Sequence, residues 1–115
     1  MKIALNGSFW DQPATGSGQY VRALLPAIAR LNASTQYELV LPQTGTSAQP
    51  LPPNVSVRTE NNASKRLSAN LAKLWFEQIA FARACRRAHA SLAHIPYFAP
   101  PYFSPTRTVV TIHDL

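Results

Sequence analysis

Short apolar runs alternate along this chain with stretches in helical register, and that alternation restricts the fold more than any single motif. Lys2 to Asn6 opens the chain with an apolar run and meets a turn signal at Gly7, the pattern of a buried parallel strand. Residues 7–17 are rich in Gly, Ser, Thr and Pro and read as a loop. From Tyr20 to Leu31 the apolar positions Tyr20, Val21, Leu24, Leu25, Ile28 and Leu31 follow helical spacing with one buried face. Ser17 or Gly18 is the expected N-cap. Pro26 lies too deep for a first-turn proline and leaves the Arg22 carbonyl without its helical donor, which predicts a kink. Tyr37 to Leu41 is a second apolar run, ended by Pro42 and followed by a polar, Pro-rich loop over 42–53. Asn54 to Arg58 alternates as a short strand does.

A long amphipathic helix is expected from Ser68 to Ala88. At ~100° per residue, Leu67, Leu71, Leu74, Gln78, Ala82 and Cys85 share one face. Arg66, Lys73, Arg83 and Arg87 gather on the other, with Phe76 among them. Ser91 to Ile95 reads as a strand, and Thr108 to Ile112, β-branched almost throughout, as a further buried one. The order of elements predicts an α/β, Rossmann-like fold: a mostly parallel, twisted sheet covered by helices. The 115 residues allow one small domain. A buried parallel strand so close to Leu115 predicts that 1–115 is the incomplete first part of a larger doubly wound domain. Such a piece is expected to be marginal alone and to self-associate through uncovered apolar surface.

Composition narrows the class. Apolar residues make up 46%, which excludes a disordered chain. The single cysteine, Cys85, excludes a disulfide framework and has no Cys or His at zinc-finger spacing. No apolar run approaches the ~18–20 residues of a membrane span, and the N-terminal run is too short for a signal peptide. A cytoplasmic location follows as the expectation, and the sequons at Asn6, Asn32, Asn54 and Asn62 read as chance. The net charge of +6 calls for an anionic partner: nucleic acid, an anionic lipid surface or a phosphorylated small molecule.

Four features could carry chemistry. Thr15-Gly16-Ser17-Gly18-Gln19-Tyr20 precedes a helix, where converging amides and the helix dipole suit an anion. It is not a GxGxxG fingerprint, because Val21 stands at the third glycine. Thr111-Ile112-His113-Asp114 lies at the carboxyl end of the last strand, where open parallel sheets bind ligands. His113 there can hydrogen-bond a sugar hydroxyl or a phosphate, and Asp114 can cap a following helix. The near-repeat Pro96-Tyr97-Phe98-Ala99-Pro100 and Pro101-Tyr102-Phe103-Ser104-Pro105 offers stacking surfaces for a sugar or lipid chain. The basic helix face holding Phe76 has the pattern of an interfacial membrane helix, diluted by Glu77.

Five stretches in this order resemble a known family: Lys2-Ile3-Ala4-Leu5-Asn6-Gly7, Gly16-Ser17-Gly18-Gln19-Tyr20-Val21-Arg22, Trp75-Phe76-Glu77-Gln78, His94-Ile95-Pro96-Tyr97-Phe98 and Val109-Val110-Thr111-Ile112-His113-Asp114-Leu115. Together they look like the N-terminal half of the family 4 (glycosyltransferase group 1) retaining glycosyltransferases. The resemblance implies a GT-B architecture of two Rossmann-like domains facing across a cleft, of which 1–115 would be an incomplete acceptor-side N-terminal domain. It implies transfer of a sugar from a nucleotide-sugar donor to a sugar or lipid-linked acceptor, without a bound metal or other cofactor. Gly16, Ser17 and Gly18 would border the donor diphosphate and acceptor, and His113 would approach the donor sugar as the catalytic residue. Tyr97 and Phe98 would line the acceptor side. The family's basic Arg/Lys pair and its spaced glutamates, which hold diphosphate and ribose, are absent from 1–115, so catalysis by this stretch alone is not expected. The +6 charge and Phe76 within the basic helix face add an expectation of peripheral contact with anionic membrane at its inner face.

Two other classes compete. A nucleotide-binding Rossmann-type module lacks its third glycine and an acidic residue after Leu41. A nucleic-acid-binding domain would show a helix-turn-helix or an RNP-like aromatic pattern, and neither occurs.

Overall fold

The computed structural model describes residues 1–42, 49–60, 69–97, 102–104 and 106–113. Leu67, Arg66, the Asn62 sequon, Phe98 and Asp114 lie outside the described residues. Five strands form one sheet: β1 (Lys2–Asn6), β2 (Gln36–Leu41), β3 (Val55–Thr59), β4 (Leu92–Ile95) and β5 (Arg107–Val110). Their order is β3-β2-β1-β4-β5, and every neighbouring pair is parallel. The α/β, Rossmann-like expectation is what the chain adopts. Central β1 sets the register, with Leu5 opposite Leu39 of β2 and His94 of β4.

Alternation along the strands divides the core between the two faces of the sheet. Leu5, Tyr37, Leu39 and Leu41 face Val21, Leu25 and Ala29 of helix α1 (Gly16–Leu31), with Trp10 closing the layer. Ala4, Val40, Ala93 and Ile95 face the other way, against Phe76, Ala80, Phe81, Ala84 and Cys85. Thr15, rather than Ser17 or Gly18, caps α1: its hydroxyl accepts from the Gly18 amide at 3.0 Å. Helical backbone continues through buried Pro26 to Leu31. The Arg22 carbonyl that the proline deprives of a donor accepts instead from Gln49 Nε2 at 3.2 Å.

The second helical stretch departs from the expected single α-helix. It consists of α2 (Ala69–Trp75), a π turn (Phe76–Ala80) and α3 (Phe81–Arg87). The Phe81 amide bonds to the Phe76 carbonyl, five residues back, so the helix widens and the phase of everything before it shifts by one residue. Cys85 is buried and Arg83 and Arg87 are exposed, as the wheel predicts. From the π turn back the apolar positions depart from the wheel, although Lys73 is exposed as expected. Leu71 and Leu74 are 52% and 50% exposed, and Phe76, expected on the basic face, is 1% exposed. A wheel of constant pitch cannot anticipate the inserted residue.

β5 was expected to be buried. It lies at the sheet edge, and Val109 is exposed. Two sequons serve the fold itself. Asn6 is buried. Asn54 Nδ2 lies 3.0–3.3 Å from the carbonyls of Ala29, Asn32 and Thr35, clamping the end of α1 to the start of β2. Among the described residues, no helix is long and apolar enough to cross a membrane.

Candidate functional site

From central β1 the chain leaves over one face through α1 to β2, and it returns to β4 over the other face through α2 and α3. The strand order reverses between β1 and β4, and in open parallel sheets a crevice forms there beyond the carboxyl ends. The segments after β1, β4 and β5 meet at that edge: Gly7 to Thr15, Pro96-Tyr97 and Thr111-Ile112-His113.

Each segment is fixed by local packing. A Cβ at Gly7 would lie 2.7–2.9 Å from Leu41 Cδ2, the Val40 carbonyl and Leu39 Cδ1, so only glycine lets the chain turn flush against β2. A Cβ at Gly18 would overlap the Gln12 carbonyl, so that glycine seats α1 on the preceding loop. Gly16 differs: nothing lies within 4 Å of a Cβ there. Thr15 takes the Gly18 amide, which leaves the first-turn amides of Gly16 and Ser17 as those an α-helix does not bond internally.

On the α1 side, the His113 ring stands edge-on to Tyr20, centroids 4.7 Å apart. Its Nε2 lies 2.9 Å from the Pro96 carbonyl. A carbonyl only accepts, so Nε2 carries the hydrogen, and Nδ1 of the neutral ring is left as an acceptor. One strand away, His94 Nε2 and Thr111 Oγ1 are 3.0 Å apart, and burial pushes the His94 pKa down.

On the α2–α3 side lies a buried polar cluster. The Tyr97 hydroxyl is 3.2 Å from both Asn6 Oδ1 and Glu77 Oε1 and can donate to one at a time. Asn6 Oδ1 also accepts the Ser8 amide at 2.9 Å. Lys73 Nζ lies 3.7 Å from Glu77 and 5.1 Å above the Phe9 ring, which meets Tyr97 edge-to-face. Burial first, and then the Glu77 charge, pushes the Tyr97 phenol well above its ordinary pKa. Asn6 Nδ2 is buried without a hydrogen-bond partner among the described residues.

The structure brings the His113 ring against Tyr20, in the helix that Gly16 and Ser17 begin. It places Tyr97 on the other side of the sheet edge, with its hydroxyl turned inward. Sequence reasoning missed Asn6, Tyr20 and Glu77 as parts of this edge. Asn6 stood out only as a sequon, and Glu77 only as a dilution of positive charge. The polar residue ending β1 was the available signal for Asn6; the π turn that turns Glu77 inward has no signature in a constant-pitch wheel. Among the described residues, no three His, Cys, Asp or Glu side chains are placed to hold a metal ion. Comparison with protein-family models, with curated proteins and with solved structures finds no match.

Proposed function

We propose that this chain is the acceptor-side α/β domain of a retaining glycosyltransferase that takes a nucleotide-sugar as donor. The observation that supports it is the contact of His113, beyond the carboxyl end of β5, with Tyr20 of the helix that the open Gly16-Ser17 turn begins, beside the sheet's switch point. In this reading the Gly16 and Ser17 amides face the donor diphosphate, and the side-chain-free surface at Gly16 gives it room. His113, tethered to Pro96 through Nε2, has Nδ1 to accept from a sugar hydroxyl and orients the ring being transferred. The buried Asn6–Tyr97–Glu77 cluster holds the β1 and β4 ends in place beneath. Nucleotide recognition falls to a second domain, since the basic pair and spaced glutamates of the resembled family have no counterpart here.

The dinucleotide-binding alternative has less support. After β2 the chain offers Pro42 rather than an acidic residue for a ribose, and Glu60, after β3, is buried and paired with Arg87.

The test is an amide and imidazole NMR titration of the 115-residue chain with simple glycosides, nucleotide-sugars and NAD. Glycosides and nucleotide-sugars should shift Gly16, Ser17 and His113. Gly16→Val should abolish the response with the melting temperature unchanged, and His113→Ala should abolish it in a protein that still folds cooperatively, with a small loss of stability from the Pro96 carbonyl. A response to NAD alone, or none at this edge, would overturn the proposal.

A further inference from the structure

The outward side of the α2–α3 stretch combines two features that soluble surfaces usually keep apart. Leu71, Leu74 and Ile79 are exposed on it. Leu71, Leu74 and Gln78 follow one another at the three- and four-residue spacing that shares a helix side. Gln78 Oε1 accepts the Tyr102 amide at 2.8 Å, which pins the Tyr102-Phe103 segment beside the aliphatic row. Those two rings are 88% and 84% exposed. Further along, Arg83, Arg86 and Arg87 are all exposed.

Acidic charge is withdrawn from the surface. Glu38, Glu60 and Glu77 are buried against Lys2 and Arg58, Arg87, and Lys73 respectively. Among the described residues Asp11, in the β1–α1 loop, is the one exposed acid. A second copy of this chain would set +6 against +6, which opposes self-docking here. Nucleic acid would use the arginines but not the leucines. Exposed aliphatics, a Tyr-Phe tip and the exposed Arg83 and Arg86 on one side fit the headgroup zone of a bilayer carrying anionic lipid, where rings and aliphatics enter the interface and cations meet the phosphates.

We propose that this side of the molecule docks onto an anionic membrane surface, through Leu71, Leu74, Tyr102 and Phe103 with Arg83 and Arg86. The inference is independent of the transferase reading, because it uses none of the residues at the sheet edge. Sedimentation of the chain with vesicles tests it. The chain should partition onto equimolar phosphatidylglycerol and phosphatidylcholine at low salt, and not onto phosphatidylcholine alone. Arg83→Glu with Arg86→Glu should weaken partition at least ~25-fold, at about five-fold per arginine lost. Tyr102→Ser with Phe103→Ser should weaken it roughly ten-fold while the melting temperature holds, since both side chains lie in solvent. Three results would overturn the proposal: equal retention on neutral vesicles; indifference to the Tyr102/Phe103 change while an oligonucleotide binds with the same arginine dependence; or a lipid-free dimer that this change dissolves.

Discussion

A methyl group at Gly18 has nowhere to go, whereas one at Gly16 meets open space, and the two glycines of one short turn therefore answer differently to substitution. Gly18→Ala must displace the Gln12 backbone, and overpacking against backbone costs typically ~1–3 kcal/mol. Gly16→Ala should be neutral or stabilise by up to about 1 kcal/mol, because alanine holds helical backbone better than glycine. Urea denaturation of the two variants checks the contrast. Three other residues set the pH range of stability. His94 has its pKa lowered by burial from an ordinary 6.5; the unfolded chain therefore takes up that proton first, and stability falls as pH drops below 6.5. Burial, with a smaller push from Glu38, raises the Cys85 thiol from 9.0 to about 12. The unfolded thiol ionises first, so stability is intact below pH 9.0 and is lost between there and about 12. Tyr97 adds a further decline above its ordinary 10.0. Urea midpoints should form a plateau between the His94 and Cys85 limits. His94→Gln should flatten the acid limb, and Cys85→Ala the early alkaline one. An acid limb unchanged in His94→Gln would assign it elsewhere.

At the scale of elements, the π turn decides which side chains the second helical stretch buries. Removing Ile79, an exposed residue within it, would restore constant pitch and leave α2 and α3 in their present phase, because the deletion offsets the ~100° that the extra residue takes up. Phe76 and Glu77 should stay inside, and Leu71 and Leu74 outside. We expect a folded protein whose denaturant midpoint changes little. A loss of about 3–5 kcal/mol, as for removal of a buried Phe, would mean that Phe76 had left the core. The same turn marks where reading from sequence succeeded and failed. The strands and the end of α1 were legible because apolar runs and spacing report burial directly, and the α3 face was right because its pitch is ordinary. The α2 face was wrong because one inserted residue leaves the composition of a window untouched. The Asn6–Glu77–Tyr97 cluster was illegible for another reason: its members come from three separated segments, and only the strand order brings them together. The places of Gly16 to Gly18 at a helix start and of His113 beyond a strand end were legible because turn chemistry and strand-end position are local signals.

For the molecule as a whole, parallel pairing on both sides of β1 predicts a gradient of protection. Amides of β1 should exchange slowest with solvent deuterium, those of β2 and β4 next, and those of the edges β3 and β5 fastest, since edge backbone opens without disturbing the centre. Native-state exchange monitored by NMR checks the order, and fast exchange in β1 would contradict it. That central position also has a consequence in time. β1 is synthesised before the other four strands of the sheet, yet one of its two neighbours, β4, is encoded some fifty residues after β2 ends. At ~5–20 residues per second the ribosome needs roughly 3–10 s to supply them. During that interval the α1 half can assemble, but the other flank of β1 presents bare hydrogen-bonding groups and Ala4 has no cover. Whatever shields nascent chains in the cell has its target there, on the strand that in the finished protein is the most enclosed.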